Sequence, residues 1–394
     1  MARASLQRTT AVVTGLSLGL AACSPAPDER KRESCTWTIG VMGALEDDFA
    51  ELGAAPARGV EIAVDLANEG GELACTLEAH SEDTGADPEK APARARRLAE
   101  DEDLVACVCG YFSRETAATG DVFEQAGIAM LSTAEESALR ERGFDTWFRL
   151  VAPVDRQATS TAVYITRVFD PRRVAIVTPA QDMSYSTDVT GHVRAALRGR
   201  FQGPLVELNP DESGVDDVVQ KIRRMSPDVV FFAGYAPEPW EVLRAMRDVY
   251  DLKMPFVTDG GAIYGPRGGP PTAGPLYLSC ACADASKVEG AEAFVTAYQA
   301  RYRTAPQHFA AEGFDGANVV IDALRQLTGS ESTEEARAQV VEHLDATDGI
   351  EGLVKRYAWD DEGELMTDDG DVWMWAWTRR RGFRMLGSVA ELVR

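Results

Sequence analysis

The chain has 394 residues, 45% of them hydrophobic, and a formal charge of −23. That length and apolar content suit two or more well-buried domains rather than a disordered chain. So negative a surface disfavours nucleic acid and anionic lipid as partners, and weakly favours cationic or zwitterionic ligands.

The first element is at the N-terminus. Arg3 and Arg8 precede an apolar run over residues 11–20, and Leu20-Ala21-Ala22-Cys23 leads into a Ser/Pro/Asp stretch over 24–28. A basic start, a short greasy segment and small residues before a cleavage point form a secretory signal. The run falls short of the roughly 20 residues that span a bilayer. The cysteine after the small pair resembles a bacterial lipobox. That resemblance implies removal of residues 1–22 as a signal peptide and attachment of diacylglycerol to Cys23, with 23–35 as a lipidated linker. The alternative is an ordinary secretory signal with an incidental cysteine. Acyl chains in pairs hold a protein stably on a membrane. The rest of the chain is therefore expected to work tethered outside the cytoplasm, in the cell envelope, where disulfides form. No later apolar run reaches membrane-spanning length.

From residue 36 the pattern alternates strand and helix. Strands are expected over 36–42, 75–79, 104–109 and 128–132, and helices over 51–68, 89–101 and 115–126. Helical spacing of Leu52, Val60, Val64 and Leu66 marks the first helix, and Gly70-Gly71 stops it. The unbroken apolar run at 104–109 is typical of a strand covered on both faces. A second series follows: strands over 173–178, 205–208, 228–233 and 255–257, and helices over 186–199, 215–225 and 237–250. The Gly/Pro-dense stretch 260–275 breaks the rhythm and suits a loop at the mouth of a cleft. Residues 276–283 are extended again, 287–303, 309–328 and 333–345 are helical, and extended segments over 354–359 and 372–378 close the pattern. Repeated β-α units with short links predict parallel sheets with right-handed crossovers. Two such series read as two Rossmann-like lobes of one α/β architecture. Ligands of open parallel sheets sit beyond the carboxyl ends of the strands. Those ends are 43–45, 110–113, 132–134, 179–181, 234–235 and 258–260, and they should converge on a cleft between lobes.

Beside Cys23 the chain has six cysteines: Cys35, Cys75, Cys107, Cys109, Cys280 and Cys282. In an oxidising compartment they allow up to three bridges. The two Cys-x-Cys pairs place both thiols on one face of a strand, with no His or further Cys nearby. Oxidation or simple burial explains them better than a metal site. Cys35 and Cys75 each stand beside one of the first two strands. Parallel neighbours lie about 4.8 Å apart, so a Cys35–Cys75 bridge is expected if the registers agree. The alternating Trp373, Trp375 and Trp377 share one strand face and read as core packing rather than a ligand platform.

At this point the chain resembles the solute-binding proteins of ABC importers of the leucine/isoleucine/valine type, with a type I periplasmic binding fold. The resemblance rests on IGVMGA at 39–44, GVEIA at 59–63, Asp83 with Asp87-Pro88, VCGYFS at 108–113, GIAMLS at 127–132 and Phe148-Arg149. It continues with RVAIV at 173–177, PDVVFFAGY at 227–235 and Trp359-Asp360. In order and spacing these run from about residue 36 to 377. The family implies a first lobe of 36–150 plus 279–365 and a second of 151–278 plus 366–394. Three crossing segments join them, near 149–152, 276–282 and 365–371, and hinge closure traps the ligand.

The family also implies a site. Ser113 and the N–H groups at the following helix start would take a ligand carboxylate; Thr116 there fits either a ligand role or a plain helix cap. In the next turn a backbone carbonyl and a Thr would bind the ligand ammonium. Ser132 and Ala134 fit that turn, but Glu136 stands where Thr is expected. Tyr185 and Tyr235 match aromatic wall positions, or core tyrosines. Asp259 matches an acid that pairs with the ammonium, or a turn aspartate. Arg114 is an added cation in the carboxylate turn. Leu52 replaces a ligand-covering aromatic of some relatives, and Glu46 and Asp47 replace a Thr-Gly element. The cleft is thus expected to hold several acids: Glu46, Asp47, Glu135, Glu136, Asp182 and Asp259. They are either solvated at helix starts or matched by a ligand more positive than leucine.

Beyond residues 1–22 the chain carries no G-x-S-x-G, H-E-x-x-H or P-loop. The expectation is a binding module with no catalysis and no cofactor. It would capture an amino acid or related small polar ligand and deliver it to ABC permease subunits. A sensing lipoprotein of the same fold, or a carboxylate-using hydrolase, is the alternative.

Overall fold

The computed structural model describes residues 35–46, 49–178, 184–200, 205–208, 210–235, 237–263, 274–380 and 382–394. Cys23 and the leader, with Asp47 and Asp182, lie outside them.

The first series contains β1 (Thr36–Gly43), α1 (Ala50–Gly70), β2 (Thr76–Asp83), α2 (Ala91–Ala99), β3 (Leu104–Cys109), α3 (Ser113–Gln125), β4 (Ala129–Ser132) and β5 (Trp147–Arg149). Its five strands form a parallel sheet in the order β2-β1-β3-β4-β5. All of β3 is buried, as its apolar run predicts, because helices cover both faces.

The second series contains α4 (Val154–Tyr164), β6 (Val174–Val177), α5 (Ser184–Arg200), β7 (Leu205–Leu208), α6 (Pro210–Met225), β8 (Val229–Phe232), α7 (Glu238–Arg244), β9 (Phe256–Thr258) and β10 (Leu276–Cys280). The chain then makes α8 (Glu292–Tyr302), α9 (Ala310–Leu324) and α10 (Thr333–Ala346). It ends with the short pair β11 (Ile350–Glu351) and β12 (Arg356–Tyr357), then β13 (Trp373–Thr378), β14 (Gly382–Ser388) and α11 (Val389–Leu392). The second sheet runs β14-β13-β10-β9-β8-β6-β7, parallel except that β13 pairs antiparallel with both β10 and β14. These are the two α/β halves that the alternation predicts.

Helix α9, though late in the chain, packs back on α1 of the first half. Gly59 and Gly313 make the crossing close: a Cβ at Gly59 would strike the Ala310 carbonyl, and one at Gly313 the Pro56 carbonyl. The Cys35–Cys75 bridge forms as expected, with Cα atoms 4.9 Å apart. Thr36 pairs with Thr76, so the residue before each strand is a direct neighbour. Cys107 and Cys109, and Cys280 and Cys282, are also joined. Trp373 and Trp375 are buried, in line with the packing role.

Several elements escape the sequence pattern, among them β5, β11 and α11 as well as helix α4 and strand β14. Helix α4 turns Gln157, Ser160 and Thr161 inward beside Ala158 and Ala162, so its apolar stripe is faint. Strand β14 is an edge strand with partly exposed residues on both faces. Of the 260–275 loop, Gly260–Ala262 forms a tight turn and 264–273 lies outside the described residues. Among the described residues, no helix is long and apolar enough to cross a membrane. None of their His, Cys, Asp and Glu side chains cluster in threes that could hold a metal.

Candidate ligand site between the two halves

The carboxyl ends of strands from both sheets meet around a narrow cavity. From the first sheet, the turn after β3 supplies Tyr111 and Ser113, and the turn after β4 supplies Thr133 and Glu135. From the second, the start of α5 supplies Tyr185, the turn after β8 Tyr235, and the turn after β9 Gly260 and Gly261. Phe309, at the entrance to α9, completes the wall. A larger open depression elsewhere, lined by Arg140, Arg156, His192 and Glu364 among others, lies away from these strand ends.

The two first-half turns are locked to each other from behind. The Ser132 hydroxyl donates to the Gly110 carbonyl at 2.8 Å and accepts from the Ala134 N–H at 3.1 Å. The Thr116 hydroxyl lies 3.1 Å from the same carbonyl and 3.3 Å from the Ser132 hydroxyl. Gly110 has φ 73°, a conformation that favours glycine, and a side chain there would collide with Thr116. Ser132 and Thr116 therefore shape the turns and stay out of the cavity wall. Ser113 reaches the wall while its hydroxyl accepts the Glu136 N–H at 3.2 Å.

Arg149, fully buried on β5, holds the turn after β4 from below. It donates to Glu364 at 2.6 and 3.1 Å, to the Glu136 carbonyl at 3.0 Å, and to the Ala134 carbonyl. Burial lowers the affinity of Arg149 for its proton, and Glu364 restores part of it. The Ala134 carbonyl, which the resemblance assigns to a ligand ammonium, thus already serves Arg149. Ala134 itself is buried behind the cavity.

The second-half wall is aromatic and acidic. Tyr185 and Tyr235 stand with ring centres 5.1 Å apart. The Tyr185 hydroxyl lies 2.9 Å from Glu135 Oε2 and 3.2 Å from Asp259 Oδ1. Asp259 also accepts the N–H of Gly234 and of Gly261, both at 2.8 Å. It therefore builds its own turn as well as reaching the site. Burial raises Glu135 to about 7 and Asp259 to about 6. Burial also raises both tyrosine hydroxyls well above 10. Glu115, beside Thr84 at the start of α3, is pushed by burial to about 7.

The structure brings Ser113, Tyr185, Tyr235 and Asp259 together, with Ser132 and Ala134 in support. Glu136 is half-buried, with its backbone in the Arg149 network, and Arg114 is exposed outside the wall. Of the expected acids, Glu46 is exposed, and the side chain of Leu52 lies outside the described residues. Sequence reasoning missed Tyr111, Thr133 and the Gly260-Gly261 pair as individual residues, although it named their turns. It missed Phe309 altogether, because nothing in the βα alternation brings α9 to the cleft. Phe309 has φ 65°, strained for a bulky residue and the kind of outlier that gathers at sites.

Comparisons agree with this architecture. The chain matches the periplasmic binding protein family over residues 36–378. It is 28% identical over 229 residues to an amino acid binding protein of Pseudomonas aeruginosa, covering 57% of this chain and 60% of that protein. It is 28% identical over 231 residues to the Leu/Ile/Val-binding protein of Escherichia coli K12, covering 57% of this chain and 61% of that one. These matches span about three fifths of the length of the curated relatives. Among solved structures, an ABC transporter substrate-binding protein from Desulfitobacterium hafniense in complex with Leu superposes with a TM-score of 0.74 at 20% identity, over 89% of this chain and 100% of that one. The fold coincides, and the chain belongs to the periplasmic binding protein family, with the type I fold.

Proposed function

We propose that the chain is an extracytoplasmic solute-binding receptor of an ABC import system, capturing an amino acid or related small polar ligand between its halves by hinge closure. The observation that carries this reading is the cavity at the carboxyl ends of both sheets, lined by polar and aromatic groups from each half. Such concave sites with a few directed polar groups suit small ligands. The first lobe would comprise 36–150 and 279–365, and the second 151–278 and 366–394. Cys23 would carry the lipid anchor and keep the receptor at the membrane surface beside its permease. Relatives named for amino-acid binding support the ligand class. The reading is of a binding protein without turnover, which the match to the periplasmic binding protein family supports.

A thermal-shift screen of the purified mature chain against amino acids, amines, amides and short peptides tests this. A ligand at a hundredfold excess over its dissociation constant should add about 2.7 kcal/mol of stability. A flat response across the whole panel would refute the receptor reading.

A further inference from the structure

The joined cysteine pairs differ in what they restrain. The Cys35–Cys75 bridge spans 40 residues and removes much freedom from the unfolded chain. A bridge between residues two apart removes little of it, so its effect falls on the local backbone. Cys107 and Cys109 lie within β3, between β1 and β4, whose ladders already fix that backbone. Cys280 and Cys282 stand in another setting. Cys280 is the last residue of β10, where pairing with β9 has ended at Leu278 and pairing with β13 ends at Cys280 itself. Residues 281–283 then run outside any sheet ladder, in the segment that crosses between the halves.

Side chains and the bridge hold that stretch. The Ala281 carbonyl lies 3.4 Å from Lys355 Nζ, and the Ala283 N–H donates to Glu312 at 3.3 Å. The bridge closes a small ring around Ala281. The Cys280 sulfur also backs the ligand cavity: a Cβ at Gly260, a lining residue, would lie 3.5 Å from it. Cys280, Ala281 and Cys282 are fully buried. A thiol behaves as a small apolar group in a core, so opening this bridge strands no charge and leaves the fold standing.

We propose, resting on the receptor reading for the motion of the halves, that Cys280–Cys282 is a thiol-exchange site clasping the crossing segment, closed to dithiols while the halves are together and reached when they part. A thiolate of the dithiol attacks one cysteine sulfur, the S–S bond breaks, and the other sulfur leaves as a thiolate that takes up a proton. The reagent's second thiol resolves the mixed disulfide and frees the second cysteine thiol. Two electrons and two protons pass to the protein, and the reagent ends as its own cyclic disulfide. With the clasp open, the Ala281 carbonyl and the Gly260 turn lose a restraint, and crossing segment and cavity wall loosen together. A disulfide of small thiols, such as oxidised glutathione, reverses the step.

Dithiothreitol treatment of the mature chain in native buffer, quenched with iodoacetamide and followed by mass spectrometry, tests the proposal. Cys280 and Cys282 should start linked and become alkylated together, about tenfold or more slower than in urea. After reduction, amides over 276–283 and at Gly260 and Gly261 should exchange about tenfold or more faster, while those of β6 keep their rates. The Cys280→Ser/Cys282→Ser variant should show the same loosening with the Cys107–Cys109 bridge intact, and Cys280→Ala/Cys282→Ala should repeat it without buried hydroxyls. Oxidised glutathione should restore slow exchange in the reduced parent and in neither variant. Free thiols at the start, reduction as fast as in urea, no reduction before the chain unfolds, or unchanged exchange would each overturn the clasp and leave the receptor reading standing. A flat thermal-shift screen would remove the receptor reading without altering these exchange rates.

Discussion

At the residue scale, the site is governed by carboxylates kept from water. Glu135 and Asp259 are raised by burial, and so is Glu115. A carboxyl whose folded value exceeds its unfolded one binds more protons when folded. Its contribution to stability is therefore greatest at low pH and is lost as pH rises from about 4.5 to about 7. His308 works the other way: burial lowers it to about 3, so stability falls as pH drops from 6.5 toward 3. The Glu135→Gln variant isolates one group from this sum. Urea unfolding at pH 5, 6 and 7 should show a shallower loss of stability with pH than the parent, by up to about 1.4 kcal/mol per unit. Parallel curves would contradict the raised proton affinity that burial gives Glu135. Arg149 offers a second check. Arg149→Met leaves Glu364, 5% exposed, with only Arg140 at 3.5 Å as a cation, and frees the Ala134 and Glu136 carbonyls. Removing one member of a buried ion pair costs on the order of 3–5 kcal/mol, readable as a lower urea midpoint with the β4 turn loosened in amide exchange. The chemistry of Ser113, Tyr185, Tyr235 and Asp259 could be read from their places after strands. Arg149 could not be assigned its role, since a cation on a buried strand gives no hint of which carbonyls it will reach.

At the element scale, the first half is held by a helix crossing and a covalent link. Helices α1 and α9 approach at Gly59 and Gly313, where there is no room for a Cβ. Gly313→Val should force the helices apart and cost roughly 1–3 kcal/mol or more, seen as a lowered thermal midpoint with the second half protected in amide exchange. If the midpoint stays, the close crossing is wrong. The Cys35–Cys75 bridge ties residues 40 apart in sequence across β1 and β2. Replacing both with Ser should lower stability by about 2–4 kcal/mol, and unreduced peptide maps should show the linked pair. Most elements were legible, because apolar runs and helical spacing are local. Helix α4 was not, since polar Gln157, Ser160 and Thr161 occupy its inward face. Edge strand β14 was not, since exposure weakens its alternation.

At the scale of the whole molecule, a second buried ion pair sits where the chain passes between its halves. Lys355 Nζ lies 3.5 Å from Glu312 and 3.4 Å from each of the carbonyls of Leu150 and Ala281. Glu312 also accepts the Ala283 N–H at 3.3 Å. One ammonium thus pins segments that follow β5 and β10. Lys355→Met should destabilise the whole chain by about 3–5 kcal/mol because Glu312 is left as a buried charge, and the double variant Lys355→Met/Glu312→Leu should regain much of that loss. Equal losses in the single and double variants, measured by urea unfolding, would show that packing rather than charge holds these segments.

What the amino-acid sequence determined by itself is local and periodic: the alternation of buried strands and amphipathic helices, and turns placed after each strand. Those follow from side-chain hydrophobicity and spacing, which neighbours in the chain suffice to express. The tertiary structure alone decided which turns face one another. It folded α9 back so that Phe309 reaches the cavity, set Glu135 and Asp259 on a single phenol, and turned Arg149 onto Ala134 and Glu136. Contacts between residues dozens to hundreds of positions apart depend on how sheets and helices pack, and burial then sets the charge state of every acid they enclose.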